Sequence, residues 1–377
     1  MNRKCIFNFT TTNLLLAVSI GLTPQLCRAD AFAQTNLVSD VPGMAATTDP
    51  NLKNPWGVAF VGGSPFWVSN QASGTTTLYD GAGNEVKLPT GVNYANIPGS
   101  TTPPSGPTGQ VFYGGTGFKL SNGNPARFIF DTLNGTIAGW NGGLNAIQAA
   151  STPGAIYTGL ALANSGGSSY LYAADATGQI RVFNSTFGAA TLAGNFTDPN
   201  ALTGYVPFNI QAIGSQLYVT YARLTPQGTA LSGGYVDVYN TDGTFAERFA
   251  TGGPLNGPWG LVMAPASFAL FGGDLLIGNF GNGEILAYDP NTKAFLGTLD
   301  GTNGSPIVND FLWALEFRTA GANTSPNTLY FTAGINNQSD GLFGELTSVP
   351  EPGSEMLFFL GLTGLTWLGY RRRRLGK

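Results

Sequence analysis

The chain has 377 residues, including 54 glycines and 23 prolines, with 17 basic residues, 21 acidic residues and no histidine. The absence of histidine excludes Ser-His-Asp and Cys-His nucleophiles, HExxH zinc sites and histidine-ligated haem. A disordered chain is also excluded, because 12% aromatic residues with only 10% charged residues supply the apolar groups that offset the entropy of ordering.

Residues 1–33 are predicted to form a secretory signal peptide. A basic start precedes an uncharged stretch, Cys5–Cys27, whose apolar centre is Leu14–Leu22. Ala31–Ala33 fits the A-x-A cleavage rule, and Ala29 offers an alternative cleavage position. A retained anchor helix is disfavoured because the apolar centre is far shorter than the ~20 residues of a spanning helix. Both cysteines lie in this segment, so its removal leaves no thiol, disulfide or thiolate metal site.

Residues 34–348 are predicted to form an all-β domain, a single β-propeller with six blades. Short β-rich runs alternate with Gly, Asn, Asp and Ser turns, and no segment keeps a helical period. A repeat of three β-rich segments recurs along the chain, and its clearest copies begin at Asn54–Phe60 and at Asn256–Val262. Six positions taken as equivalent are spaced by 49 to 54 residues, namely Trp56, Thr108, Gly159, Phe208, Trp259 and Trp313. A period near 50 is typical of propeller blades.

The repeat predicts roles for three kinds of residue. The Trp or Phe at the start of most blades is interpreted as a packing residue wedged between neighbouring sheets. The glycine-rich loops are interpreted as turns with positive φ rather than phosphate loops, because no helix follows them. The segment Asn36–Asp40 is expected to add an outer strand to the last blade and so close the ring, which removes free sheet edges.

A candidate metal site is predicted at strand ends near one mouth of the central channel. Asn70, Asp175 and Asn279 occupy corresponding positions in three copies of the repeat, and their oxygens suit a hard cation such as Ca²⁺. Such a site would resemble the sugar-lactonase and paraoxonase type of six-bladed propeller. The interpretation that we favour is that these side chains make turn and strand-end hydrogen bonds. No catalytic residue is assigned, since no paired carboxylates of the glycosidase kind are visible.

The charge of the body argues against two classes of partner. Between Gln34 and Val349 there are nine basic and 18 acidic residues, which gives a net charge of −9. An acidic surface repels nucleic acid and anionic lipid, so we expect neither as a lasting partner of the body.

The C-terminal segment, residues 349–377, has three parts in a fixed order. The motif Pro350, Glu351 and Pro352 precedes the 15-residue apolar run Met356–Tyr370, which describes a marginal spanning helix. A block of positive charge that stays cytoplasmic follows at once, formed by Arg371, Arg372, Arg373 and Arg374. This order resembles the PEP-CTERM sorting signal of Gram-negative bacteria, in which an exosortase cleaves near the Pro-Glu-Pro motif. The alternative is an ordinary C-terminal membrane anchor.

The body also resembles a known group, an uncharacterised family of exported bacterial propeller proteins, some of which carry PEP-CTERM tails. The similarity runs through the whole body and is clearest before Gly83 and around Gly257–Trp259. Its segments include Leu37–Asp40, Asp49–Leu52, Asn54–Gly57, Pro65–Val68 and Leu78–Asp80. The resemblance implies fold and export, and it implies no activity.

Two functions from different classes follow from these expectations. The first is a non-enzymatic binding module on the cell surface or in the extracellular matrix, associated with exopolysaccharide or a surface protein. It would be anchored transiently in the inner membrane and processed by an exosortase-type protease. The alternative is a Ca²⁺-dependent hydrolase of the lactonase or esterase type with its metal in the central channel.

Overall fold

Short β-rich runs between glycine turns form 24 strands in residues 31–99, 105–225 and 233–349, which the computed structural model describes. The first two, β1 (Ala31–Ser39) and β2 (Thr47–Thr48), belong to the last blade of the chain. Blade 1 contains β3 (Pro55–Ala59), β4 (Phe66–Asn70), β5 (Thr75–Tyr79) and β6 (Tyr94–Asn96). Blade 2 contains β7 (Pro107–Phe112), β8 (Phe128–Thr132), β9 (Thr136–Trp140) and β10 (Ile147–Ser151).

The remaining blades follow the same plan in chain order. Blade 3 contains β11 (Tyr157–Ser165), β12 (Ser168–Asp175) and β13 (Gln179–Phe183). Blade 4 contains β14 (Val206–Ile213), β15 (Gln216–Ala222), β16 (Tyr235–Asn240) and β17 (Phe245–Thr251). Blade 5 contains β18 (Pro258–Met263), β19 (Leu275–Asn279), β20 (Ile285–Tyr288) and β21 (Phe295–Thr298). Blade 6 contains β22 (Leu312–Phe317), β23 (Thr328–Ala333) and β24 (Leu342–Val349), and it is completed by β1 and β2.

The six antiparallel sheets confirm the predicted six-bladed β-propeller. The predicted closing strand is also confirmed, because β1 pairs antiparallel with β24 and joins the start of the described chain to its end. This strand is longer than the expected Asn36–Asp40 and begins at Ala31. Helix is confined to a 3-10 turn at Ala269–Phe271 and a short segment at Ile335–Gln338. Neither has the length or apolar character needed to cross a bilayer, and the described ranges hold no other helix.

The ends of the chain fall mostly outside the described ranges. Residues 1–30 of the predicted signal peptide and residues 350–377 of the predicted sorting segment are not described. The three residues Ala31–Ala33, which the predicted boundary places in the signal peptide, pair with Thr347–Val349 in blade 6. Phe32 is only 1% exposed, and its ring stacks on Phe268 at 5.2 Å between centroids. Ala31–Ala33 therefore form part of the propeller sheet and its core.

The innermost strand of each blade carries a β-bulge at an equivalent point, after its first one or two regular pairs. The bulges begin at the residues Trp56, Thr108, Thr158, Phe208, Trp259 and Trp313. Five of these are the positions expected from the repeat, and the third is Thr158 rather than Gly159. The one-residue difference arises because blade 3 was aligned on its glycine, which is the residue after the bulge begins.

Small residues follow the bulge and bring the inner strands close together around the axis. Four blades have glycine here, and a Cβ on Gly57 would lie 2.6 Å from the carbonyl oxygen of Thr108 in the next blade. A Cβ on Gly109 would lie 2.8 Å from the carbonyl carbon of Gly159. Since real side-chain atoms do not approach backbone so closely, only glycine permits this spacing. The inner strands therefore depend on these glycines for their contact.

We call this ring of close contacts between the inner strands the belt. Where another residue replaces glycine, hydrogen bonds connect neighbouring blades within the belt. In blade 4 the Nδ2 of Asn209 donates to the carbonyl oxygen of Trp259 in blade 5 at 2.8 Å. At the closure of the ring, the Oγ1 of Thr332 donates to the carbonyl oxygen of Trp56 at 2.6 Å. These bonds join neighbouring blades through buried polar groups, so the belt fixes register as well as distance.

One buried acid belongs to this belt. The carboxylate of Asp131 in β8 accepts hydrogen bonds from the Oγ1 of Thr108 at 2.7 Å and from the backbone N–H of Gly109 at 2.6 Å. Its other oxygen, Oδ2, is buried with no hydrogen-bond partner among the described residues. Burial raises the pKa of Asp131 to about 7, and the two donors oppose this effect only in part.

The first prediction tests the close approach of the inner strands. The variant Gly109→Ala places a methyl group against the backbone of the neighbouring strand, so we expect it to lower the free energy of unfolding by about 1–3 kcal/mol. The matched control is Gly63→Ala, where an added Cβ meets nothing within 4 Å. Urea denaturation of both variants measures the difference. Equal stabilities for the two variants would contradict the proposed packing of the belt.

The second prediction concerns the pH dependence of stability. Because the pKa of Asp131 is raised in the folded state, its contribution to stability is full below pH 4 and falls until the pH passes about 7. A rise of about three pKa units corresponds to a loss on the order of 4 kcal/mol. The variant Asp131→Asn should remove this part of the slope. Urea denaturation between pH 4 and pH 8 tests it, and an unchanged slope in the variant would refute the assignment.

Candidate functional site

Aromatic residues from the starts of the inner strands fill one end of the channel. The indole rings of Trp56 and Trp313 stack with their centroids 3.5 Å apart and an interplanar angle of 21°. Trp259 meets both rings edge-on, at 6.1 Å from Trp56 and 5.6 Å from Trp313. Phe208 and Phe280 pack against Trp313 at 5.9 and 4.4 Å. Two of these contacts, Trp56 with Trp259 and Phe208 with Trp313, join blades that are not neighbours, so the rings meet across the axis.

The polar edges of two indoles hold this aromatic cluster in place. The Nε1 of Trp259 donates to the carbonyl oxygen of Thr158, which belongs to the non-adjacent blade 3, at 2.9 Å. The Nε1 of Trp313 donates to the Oδ1 of Asn54 at 3.0 Å, and the Nδ2 of Asn54 donates to Gln71 at 2.8 Å. The aromatic residues are therefore buried packing residues. The expected packing between neighbouring sheets holds for Trp56 on Trp313, and Trp56 also meets Trp259 across the axis.

The opposite end of the channel remains open. A cavity of about 310 Å³ lies at the ends of the inner strands, and five of the six blades contribute to its lining. Its walls include the aromatic side chains of Phe60 and Phe112 and the aliphatic side chain of Leu162. A narrow gap of about 20 Å³ continues from it toward Trp259 and ends at the aromatic cluster. The channel is therefore a blind pocket, which we call the mouth.

Glu316 on β22 is the one ionisable residue that lines the mouth among the described residues. It lies on an otherwise apolar inner strand, and none of the hydrogen bonds or ion pairs of the described residues involves its carboxyl group. Burial without a compensating charge raises the pKa of Glu316 to about 8. At pH 7 the carboxyl is therefore mostly protonated, and it can both donate and accept a hydrogen bond.

Two amides line the mouth with Glu316. Gln211 on β14 is partly exposed, and its amide makes no hydrogen bond to the described residues. Gln110 on β7 is already engaged, since its Nε2 donates to the carbonyl oxygens of Gly57, at 2.8 Å, and of Trp67. Gln110 thus ties blade 2 to blade 1, whereas Gln211 and Glu316 are free to meet a ligand. A concave mouth that combines apolar side chains with a few convergent polar groups is a typical small-ligand site.

The three predicted metal ligands lie at the ends of second strands in alternate blades. Asn70 ends β4 in blade 1, Asp175 ends β12 in blade 3, and Asn279 ends β19 in blade 5. No hydrogen bond joins any two of them within the described ranges. Since second strands run opposite to inner strands, they end beside the starts of the inner strands, away from the mouth.

Two of these residues have their oxygens occupied by their own blades. The Oδ1 of Asp175 accepts the N–H groups of Ile156 and Thr177, and its Oδ2 forms an ion pair with the Nε of Arg181 at 2.6 Å. The Oδ1 of Asn279 accepts the N–H of Asn256 at 3.0 Å. These are strand-end and turn hydrogen bonds of the kind favoured from the sequence.

Asn70 is bonded through its nitrogen alone. Its Nδ2 donates to the hydroxyl oxygens of Thr75 and Thr77, while its buried Oδ1 has no hydrogen-bond partner among the described residues. No group of three or more His, Cys, Asp or Glu side chains in the described ranges could hold a metal ion. The calcium site stays a prediction from the sequence.

Glu316 and Gln211 were not found from the sequence, although one signal was available. Glu316 stands in the strand Leu312–Phe317, and it is the one acidic or basic residue in the six inner strands. An isolated acid in an apolar strand departs from the pattern of a packed core, where charges need partners. The repeat of about 50 residues does not mark this position, because an acid occurs there in one blade only.

Comparison with known proteins shows the fold and the family. No family model matches the chain. Among solved structures, the soluble aldose sugar dehydrogenase of Escherichia coli in its apo form is similar, with a TM-score of 0.51 and 11% sequence identity over 85% of this chain and all of that chain. At this identity the likeness concerns the fold alone.

Two proteins of Acanthamoeba polyphaga mimivirus match most of the sequence. The uncharacterized protein R648 is 34% identical over 330 residues, which cover 82% of this chain and 78% of R648. The uncharacterized protein L690 is 32% identical over 340 residues, covering 85% of this chain and 87% of L690. The assignment to an exported bacterial family with a PEP-CTERM signal is therefore wrong, because these curated relatives are viral. The chain belongs to the family of the mimivirus proteins R648 and L690.

Proposed function

We propose that this protein is a non-enzymatic binding propeller that holds a neutral, polyhydroxylated ligand, such as the end of a polysaccharide, in the mouth of its channel. The observation that carries the proposal is the placement of Glu316, an unpaired carboxyl on an otherwise apolar inner strand. An unpaired carboxyl in a partly desolvated wall costs free energy, and a ligand that hydrogen-bonds to it recovers part of that cost.

The size and lining of the mouth support a small ligand or one unit of a longer one. Its volume of about 310 Å³ lies at the lower end of the roughly 300–1,000 Å³ found for ligand pockets. The protonated carboxyl of Glu316 and the amide of Gln211 offer both donors and acceptors, which suits hydroxyl groups. The rings of Phe60 and Phe112 offer apolar surface for the carbon face of a sugar.

Charge favours a neutral ligand over an acidic one. The chain between Gln34 and Val349 carries a net charge of −9, so anionic polymers are repelled at long range. Binding is favoured over hydrolysis because a glycosidase uses two carboxyl groups about 5–9.5 Å apart, and Glu316 lacks a second acid in the described lining. Export, predicted from residues 1–33, is a separate proposal on which this ligand site does not depend.

The third prediction tests the mouth directly. The full chain is applied to a microarray of neutral and acidic oligosaccharides, and the best neutral binder is measured by titration calorimetry. We expect Glu316→Ala to weaken binding at least tenfold, which is about 1.4 kcal/mol. Glu316→Gln should bind with intermediate affinity because its amide keeps hydrogen-bonding groups.

The exposed residue Glu85 supplies the matched control for this experiment. Glu85→Ala truncates the same type of side chain away from the mouth and should bind as the unmodified protein does. The proposal fails if no neutral oligosaccharide binds, or if Glu316→Ala binds as tightly as Glu85→Ala.

The fourth prediction separates this function from the calcium-dependent hydrolase. A structural or catalytic Ca²⁺ stabilises the folded state by mass action, so its removal lowers the melting temperature. Because the oxygens of Asp175 and Asn279 are already hydrogen-bonded, we expect the melting temperature to be the same in excess EDTA and in millimolar Ca²⁺. A rise with Ca²⁺ that is lost in Asp175→Asn would favour the hydrolase instead.

A further inference from the structure

Blade 3 differs from the other blades at its outer edge. Its sheet has three strands within the described residues, whereas each of the other five sheets has at least four. The outermost strand of blade 3 is β13, Gln179–Phe183, and it pairs with β12 on its inner side. An unpaired outer edge exposes backbone N–H and C=O groups that can pair with another strand.

The chain after β13 turns back and makes one backbone hydrogen bond of a fourth strand, but it does not continue along β13. The N–H of Ala190 donates to the carbonyl oxygen of Val182 at 2.9 Å. Beyond Ala190, none of the hydrogen bonds of the described residues joins this segment to β13. The segment crosses instead to blade 4, where the N–H groups of Gly194 and Phe196 donate to the carbonyl oxygens of Asp242 and Gly243. We call residues 189–196 the strap, since both of its ends are attached.

A cavity of about 620 Å³ lies between β13 and the strap. All five residues of β13 and most of the strap line it. Because the carbonyl of Val182 faces the strap, the alternation of an antiparallel ladder turns the N–H and C=O of Ile180 toward the same side. The cavity therefore occupies the position of a missing fourth strand and contains unpaired backbone groups.

We propose that the groove between β13 and the strap binds an extended peptide of another protein as the fourth strand of blade 3. Strand addition of this kind gains affinity from backbone hydrogen bonds and specificity from alternate side chains. The length of β13, five residues, sets the length of the paired segment.

The two walls of the groove predict the side chains of this peptide. On one face Ile180, Leu192 and Phe196 belong to the apolar cluster between blades 3 and 4. On the other face lies Arg181, whose side chain is 30% exposed and is bonded to Asp175 through Nε alone among the described residues. Its Nη groups remain available for a carboxylate. The fitting peptide thus alternates apolar and acidic residues.

The experiment selects a phage library of random seven-residue peptides against the full chain. We expect enriched peptides to alternate apolar and acidic residues. The best of them is synthesised and titrated against Ile180→Pro, which removes one outward N–H without breaking the bonds to β12. Binding should weaken at least tenfold, while the conservative control Ile180→Val should bind as the unmodified chain does.

A second variant and a fold measurement keep the result interpretable. Leu192→Glu places a carboxylate on the apolar wall and should also weaken binding tenfold, with melting temperatures followed for every variant. The proposal is overturned if no peptide is enriched, or if the enriched peptide binds a folded Ile180→Pro variant undiminished. It is also overturned if sedimentation shows that the chain dimerises and that Ile180→Pro abolishes the dimer, because the edge then belongs to a second copy.

Discussion

The close approach of the six inner strands at the axis is the constraint on which the rest of the propeller depends. It requires a residue without a side chain at Gly57, Gly109, Gly159 and Gly260, because any Cβ there would meet the next strand. The bulge beside each small residue then turns the preceding side chain inward. Backbone proximity and aromatic placement are therefore two results of one local distortion, repeated around the ring.

This arrangement gives the channel two unlike ends. Where the inner strands begin, the side chains of Trp56, Trp259 and Trp313 fill the axis, and the indole N–H of Trp259 donates to blade 3 across it. Where the strands end, no such residues are supplied, and a cavity of about 310 Å³ remains. A ligand site at the second end is compatible with a rigid scaffold, since the aromatic cluster and the belt hold the walls in place. The raised pKa of Glu316 has the same origin, because the narrow channel removes water from its carboxyl group.

Features that recur in most blades could be predicted from the sequence, whereas features found in a single blade could not. The 50-residue period and the aromatic starts recur in most blades, so blade number and five of six equivalent positions were correct. Thr158 was misplaced by one residue because a bulge leaves no mark in composition. The acidic side chain of Glu316 and the unpaired edge of β13 each occur in one blade only, so a comparison of the blades does not reveal them. Ala31–Ala33 satisfy a cleavage rule based on small residues, and the ring of Phe32 also packs on Phe268 in the core; the cleavage position stays a prediction.

The family relationship also changes which arguments bear on function. The expected role in a bacterial matrix rested on the resemblance of the termini to a sorting signal, and the viral relatives remove that support. The mouth and the edge of blade 3 rest on contacts within residues 31–349, so they are unaffected by the correction. Both are places where the chain leaves polar groups without partners at a cavity that a ligand can enter, which carries a cost in free energy. A fold selected for stability alone would pair the carboxyl of Glu316 and complete blade 3. Ligand binding at the mouth and peptide binding at the edge of blade 3 explain why neither is done.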